Sequence, residues 1–386
     1  MRVITGGRVP IKSWCGSPED GCIEQAKNLS NLPFAFKHIA LMPDTHQGYG
    51  MPIGGVLAAK GAVIPNAVGV DIGCGMCAVK TNMTTQTLEV TMLKQVMGKI
   101  RELVPVGFNR HSEKRASAAM PVYSGGLPVV DHEYESARYQ LGTLGGGNHF
   151  IEIQKDEQGG VWVMIHSGSR NLGKKVADHY NSLAKSMNAR WFSAVDPKAD
   201  LAFLPIGTDE AKNYMAEMQY CLEFSKANRR DIMTAVMSAF QTLGMVDFSP
   251  VLDIQHNYAA WENHFGKNVV IHRKGATSAR SGQCGIIPGS QGTASYIVEG
   301  LGSPDSFMSC SHGAGRRMGR KEASRKLDLS EEIRKMDEAG IIHGIRNKED
   351  LDEAAGAYKD IDVVMAEQSD LVSIRHTLKP MAVVKG

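Results

Sequence analysis

Five stretches of this 386-residue chain concentrate Asp, Asn, Cys or His, four of them beside glycine. These are the side chains that ligate metals or carry group transfer. Residues 43–50 contain Asp44 and His46; 69–77 contain Asp71, Cys74 and Cys77; 142–150 contain Asn148 and His149; 166–170 open on His166; 255–258 contain His256. Taken singly, each has a plain explanation. A turn Asp bonds its own backbone, and a free Cys packs as a small hydrophobe. Taken together, Asp71, Cys74, His149, His166 and His256 supply one carboxylate, one thiolate and three imidazoles. That is enough for one or two divalent transition ions, with Cys74 able to bridge. Mixed O, S and N donors favour Mn, Fe, Co or Zn over Mg or Ca. Cys74 and Cys77 have the spacing of a zinc or redox pair, but no second pair completes a zinc ribbon.

A sixth stretch, 309–317, sets His312 among small residues and glycine, followed by Arg316, Arg317, Arg320, Lys321, Arg325 and Lys326. Backbone N–H groups there can cradle a phosphate, and the basic run can neutralise it. On its own, a solvated basic helix start explains it as well. The glycine-rich stretch 285–295 adds further donors without matching the P-loop or dinucleotide patterns.

Loops of this kind need rigid elements behind them. Short apolar runs at 38–42, 161–165, 251–254, 269–272 and 295–298 predict strands, each running into one of the polar or glycine-rich loops. Helical periodicity appears over 173–191 and from 209 to 243, with Thr208 as N-cap. The second stretch (208–243 with its cap) reads as a helical hairpin inserted into a sheet-based body, its methionines core filler. A further helix is expected after Ser330. The 42% hydrophobic and 22% charged residues fit a globular protein with a large core and exclude general disorder. A net charge of +2 excludes a uniformly basic nucleic-acid scaffold. The 41 glycines exceed the usual ~7%. Seven scattered cysteines, no signal-peptide pattern and no long apolar run lead to the expectation of a cytoplasmic protein.

The motifs VDIGCGM, LGTLGGGNHFIEI, HSGSRNLG, HNY, RKGATSAR, IIPGSQGTASYIV and SCSHGAGR, closing with AYKDID and VVKG, occur in that order over essentially the whole chain. In this the chain closely resembles the RtcB family of RNA ligases. The resemblance implies a single α/β domain (α+β type) over 1–386, with mixed sheets around a central metal and nucleotide cleft. It also implies Mn²⁺- and GTP-dependent joining of an RNA 3′-phosphate or 2′,3′-cyclic phosphate to a 5′-hydroxyl. By motif, the metal ligands would be Asp71, Cys74, His149, His166 and His256, holding two Mn²⁺ ions. His312 would be the nucleophile that carries GMP. Asn148 would meet the guanylate phosphate and Glu152 the guanine edge. Ser290, Ser295, Ala314, Gly315, Tyr358 and Lys385 match the rest of the guanylate pocket, and Asp44 a position at that nucleotide. Arg170, Arg280, Arg316, Arg317 and Arg320 are candidates for RNA phosphates. The chain departs from the fuller family pattern around 109–130, where it is trimmed; Cys77 is expected to be structural, and Gln255 stands before His256. The competing reading is a metal-dependent phosphoesterase that opens cyclic phosphates without ligating. RNA repair as against tRNA splicing, and an RNA-binding or metal-sensing protein that catalyses nothing, are further alternatives.

Overall fold

The computed structural model describes residues 1–386. Two antiparallel-rich sheets form the body. The six-stranded sheet runs, in spatial order, Arg2–Ile4, Ile11–Ser13, Ala35–His46, Ile53–Ala59, Lys267–Lys274 and Asn257–His264. Its one parallel pair joins Ile11–Ser13 to Ala35–His46, which makes it mixed. The seven-stranded sheet runs Leu252–Gln255, Gly75–Thr84, Gly160–Ser167, Phe150–Lys155, Val372–Lys385, Ser295–Gly300 and Cys284–Ile287. A mixed α/β architecture around a cleft is therefore what the chain builds, and every run expected as a strand overlaps one, Val251 alone falling just before its strand.

Alternation sets the faces of the seven-stranded sheet. Cys77 and Val79, with Ile151, Ile153, Val163 and Ile165, pack beneath the helices Val90–Leu103 and Asp209–Gln241. Met76, Ala78, Met164 and Ile297 fill the opposite face. Cys77 is thus a fully buried core residue, pointing away from the face it would need to share with a ligand set.

The helical hairpin expected at 208–243 is not there. One continuous 33-residue helix, Asp209–Gln241, takes its place, with the Thr208 side chain accepting a hydrogen bond from Ala211 N at 3.2 Å. The stretch holds no Gly or Pro to end a helix. The polar Asn228-Arg229-Arg230 in its middle includes two fully buried side chains that make tertiary hydrogen bonds. The other helices form as expected with shifted starts, Arg170–Arg190 and Leu329–Glu338, the latter capped by Asp328. Residues 109–127, in the region expected to be trimmed, hold only the short turn Ser117–Ala119. No helix is long and apolar enough to cross a membrane.

The two sheets share an apolar cluster, Val56, Ala58 and Ile271 of one packing with Ile287, Val298 and Val372 of the other, and the chain crosses directly between them at one residue. The strand Leu252–Gln255 belongs to one sheet and Asn257–His264 to the other, and His256 alone joins them.

Candidate active site

Register carries the separate loops to one sheet edge. Phe150 and Met76 both pair with His166, and Gln255 pairs with Gly75. His149, Cys74 and His256, one residue beyond Phe150, Gly75 and Gln255, therefore line up beside His166. The turn before Cys74 is closed by Cys74 N donating to Asp71 O at 3.0 Å. It needs glycine at 73, where φ is 74° and a Cβ would lie 2.8 Å from Ser225 Oγ of the long helix. His256 N donates to Cys74 O at 3.0 Å, tying the sheet junction to that turn.

Cys74 Sγ lies 3.3 Å from His149 Nε2 and 3.2 Å from His166 Nε2. The ligand atoms of Cys74, His166 and His256 all fall within 4.8 Å of one another. Tautomers follow from the far side of each ring. His149 Nδ1 is 2.9 Å from the Leu144 carbonyl and His166 Nδ1 is 2.9 Å from that of Asn148. A carbonyl only accepts, so each Nδ1 carries the proton and each Nε2 turns a lone pair toward the sulfur. A thiol has one proton and can satisfy only one of them. His256 Nδ1 is buried with no partner. Burial pushes His166 down to about 3, with His312 adding to it, so the ring stays neutral. Burial, then Asp71, pushes the Cys74 thiol up to about 12. Neutral imidazoles with inward lone pairs and an orphaned ring nitrogen fit a divalent transition cation, whose charge is what a buried thiolate needs. Asp71 lines the same cleft but stands outside this compact set.

The cleft has a volume of about 830 Å³. His312 lines it, its ring centroid 4.8 Å from that of His256. Asp44, fully buried behind, accepts hydrogen bonds on Oδ2 from His312 N at 3.1 Å and Nδ1 at 2.6 Å. Nδ1 therefore holds the proton and Nε2 is left with its lone pair. Asp44 stands on this nucleophile candidate and does not itself line the cleft. Gly315 is obligatory beside it: at φ 75°, a Cβ would sit 2.2 Å from the Asp44 carbonyl oxygen.

Asn148, Ser290, Ala314, Gly315, Tyr358 and Lys385 line the cleft with His312. Glu152 and Ser295 lie behind its wall, each 1% exposed. Gln154 Nε2 joins them, donating to Glu152 Oε2 at 2.6 Å and Ser295 Oγ at 3.1 Å. Burial raises Glu152 to about 8. Of the arginines, Arg316 and Arg320 are tied to the buried Glu353 at 2.5 and 2.6 Å, and Arg317 lines the cleft. Arg170 stands with its Nη1 3.3 Å from His149 Nδ1. Arg280 is elsewhere, paired with Glu262 at 2.8 Å and absent from the cleft wall.

Sequence reasoning missed four supports. Arg229, from the long helix, grips Asp253 and donates Nη1 to the Gly73 and Ser167 carbonyls, each at 3.1 Å. Asn228 donates to Ser167 Oγ and accepts from Gly142 N. Glu353 accepts from the Tyr358 hydroxyl as well as from the two arginines. Lys274 stands in the cleft wall, lowered to about 8 by burial. The available signal was a polar residue inside an apolar helical face, as at Asn228 and Arg229.

The sequence model of the family described as tRNA-splicing ligase RtcB matches residues 25–126 and 123–386. The chain is 40% identical over 413 aligned residues to RNA-splicing ligase RtcB of Escherichia coli strain K12, covering 100% of this chain and 99% of that protein. It is 34% identical to tRNA-splicing ligase RtcB of Nanoarchaeum equitans, and 32% to that of Thermococcus kodakarensis, each over 95% of this chain and 92% of the relative.

Proposed function

This chain belongs to the RtcB family of tRNA-splicing ligases, and we propose that it seals RNA 3′-phosphate or 2′,3′-cyclic phosphate ends to 5′-hydroxyl ends, using GTP. The observation that carries the reading is one cleft in which Cys74 and three imidazoles converge beside a histidine whose Nδ1 proton is held by a buried carboxylate. Cys74, His149, His166 and His256, with Asp71 at the cleft, would hold one or two Mn²⁺ ions. Their chemistry there would be Lewis-acid neutralisation of phosphate charge.

The remaining chemistry belongs to the chain's own groups. A cyclic phosphate is first opened by water to a 3′-phosphate. His312 Nε2 then attacks the α-phosphorus of GTP, the bond to pyrophosphate breaks, and GMP stays on the imidazole. Asp44 holds the Nδ1 proton and stabilises the positive charge that the ring acquires. An RNA 3′-phosphate oxygen displaces the imidazole and takes the GMP. The 5′-hydroxyl then attacks that RNA phosphorus and expels GMP, closing the phosphodiester. Glu152, protonated behind the cleft wall in the unliganded chain, would give up that proton on meeting guanine and accept from N1–H and the 2-amino group, donors that adenine lacks on that edge. Asn148, Ser290, Ser295, Ala314, Gly315, Tyr358 and Lys385 would complete the guanylate pocket.

Incubation with labelled GTP and Mn²⁺, then with RNA ends, tests this. An acid-labile protein–GMP adduct and a ligated product are expected, both lost in His312→Ala while bound metal is kept. Opening of the cyclic phosphate with neither adduct nor ligation would instead establish the phosphoesterase reading.

A further inference from the structure

We propose that Tyr49 is the stacking platform for the terminal base of the 5′-hydroxyl RNA strand, an inference that rests on the ligase reading above. Its ring lines the mouth of the cleft and is 80% exposed. Its hydroxyl makes no hydrogen bond, and no other aromatic ring or cation packs on it, whereas other cleft side chains such as His312, Tyr358 and Lys385 are held by a partner. The loop beneath is fixed in place. The Tyr49 carbonyl accepts from Lys274 Nζ at 2.5 Å and from Met51 N at 2.8 Å. Gly50, at φ 67°, is seated so closely that a Cβ would come 2.5 Å from the Asp200 carbonyl oxygen. A Cβ on Gly48 would come 2.6 Å from that of Met51. A rigid, glycine-flanked loop thus holds an unpartnered aromatic face in water at the entrance to the site. Such a face suits a nucleobase, because every base has a π surface and stacking needs no particular sequence.

The choice of strand follows from the direction of attack. Phosphoryl transfer places the attacking and leaving oxygens roughly in line, on opposite sides of phosphorus. The proposed guanylate contacts Tyr358 and Lys385, and Gln291 next to Ser290, are braced by the segment that carries Asp352 and Glu353. The Tyr49 carbonyl is instead braced by Lys274, whose Nζ also donates to the Asn66 carbonyl and feels the charge of Asp71. No hydrogen bond joins the two sets. With GMP leaving toward the first set, the strand bearing the attacking hydroxyl would enter over the second, where Tyr49 stands.

The test compares wild type, Tyr49→Ala and Tyr49→Phe with 5′-hydroxyl strands that carry either a normal or an abasic first nucleotide. Tyr49→Ala is expected to form the protein–GMP adduct and to guanylylate RNA 3′-phosphate ends at wild-type rates. Its KM for the 5′-hydroxyl strand should rise about tenfold with kcat little changed, and Tyr49→Phe should restore it. With the abasic strand, wild type and Tyr49→Ala should converge. An unchanged KM, a defect that persists undiminished on the abasic strand, or a defect confined to the 3′-phosphate strand would each overturn the proposal. So would a change in sedimentation showing that Tyr49 joins two copies of the chain. Absence of any adduct in the wild-type protein would instead overturn the ligase reading itself.

Discussion

At His312 the chemistry turns on which ring nitrogen is free. The 2.6 Å contact from Nδ1 to the buried Asp44 directs Nε2 into the cleft and opposes the positive charge formed on phosphorylation. Replacing Asp44 by Ala should slow GMP–protein formation by about a hundredfold or more, the cost of losing tautomer and orientation, with bound metal unaltered; a wild-type initial rate would remove Asp44 from this role. Glu152 offers a test through stability. Its carboxyl ionises near 4.5 when unfolded and near 8 in the folded chain, raised by burial. Between those values the unfolded chain has lost the proton and the folded chain keeps it, so stability falls as pH rises through the window. Melting temperatures of Glu152→Gln measured from pH 5 to 8 should therefore decline less than those of wild type; parallel curves would contradict the assignment.

Among the elements, the long helix Asp209–Gln241 does more than fill the core. Arg229 enters beneath the sheet edge, pairs with Asp253 through two hydrogen bonds, and clamps the carbonyls before Cys74 and after His166. A fully buried guanidinium is stable there only with its carboxylate. Arg229→Ala leaves Asp253 and two carbonyls without their donor and should cost about 3–5 kcal/mol in chemical denaturation. It should also weaken Mn²⁺ binding in a titration, since Gly73 and Ser167 flank two ligand candidates. Lower stability with unchanged metal affinity would make the clamp purely structural.

Across the whole molecule, the metal-ligand candidates come from positions 71, 74, 149, 166 and 256, which only the assembled sheets bring together. An ion bound there binds the folded chain and not the unfolded one. Saturating Mn²⁺ should raise the melting temperature by about 2–5 °C, as expected from mass action on a chain of this size. Chelation should reverse the gain, and Cys74→Ala should abolish it. An equal gain in Cys74→Ala would place the ion elsewhere.

Much of this was legible in the residues. Glycine beside Asp, Cys and His marked the loops, because close backbone approach and positive φ demand glycine, as at Gly73 and Gly315. Alternating apolar runs marked the strands, because one face of each is buried. The stretch 209–243 reads equally as one helix or two, because local pattern cannot tell a solvated polar residue from one that, like Asn228 or Arg229, is buried with a distant partner. The same limit hid the grip of Asp44 on His312, 268 positions apart. Sequence by itself determined which groups were available and which segments were rigid. Tertiary structure alone decided which lone pairs face one another, because strand register and burial act between residues that the chain keeps far apart.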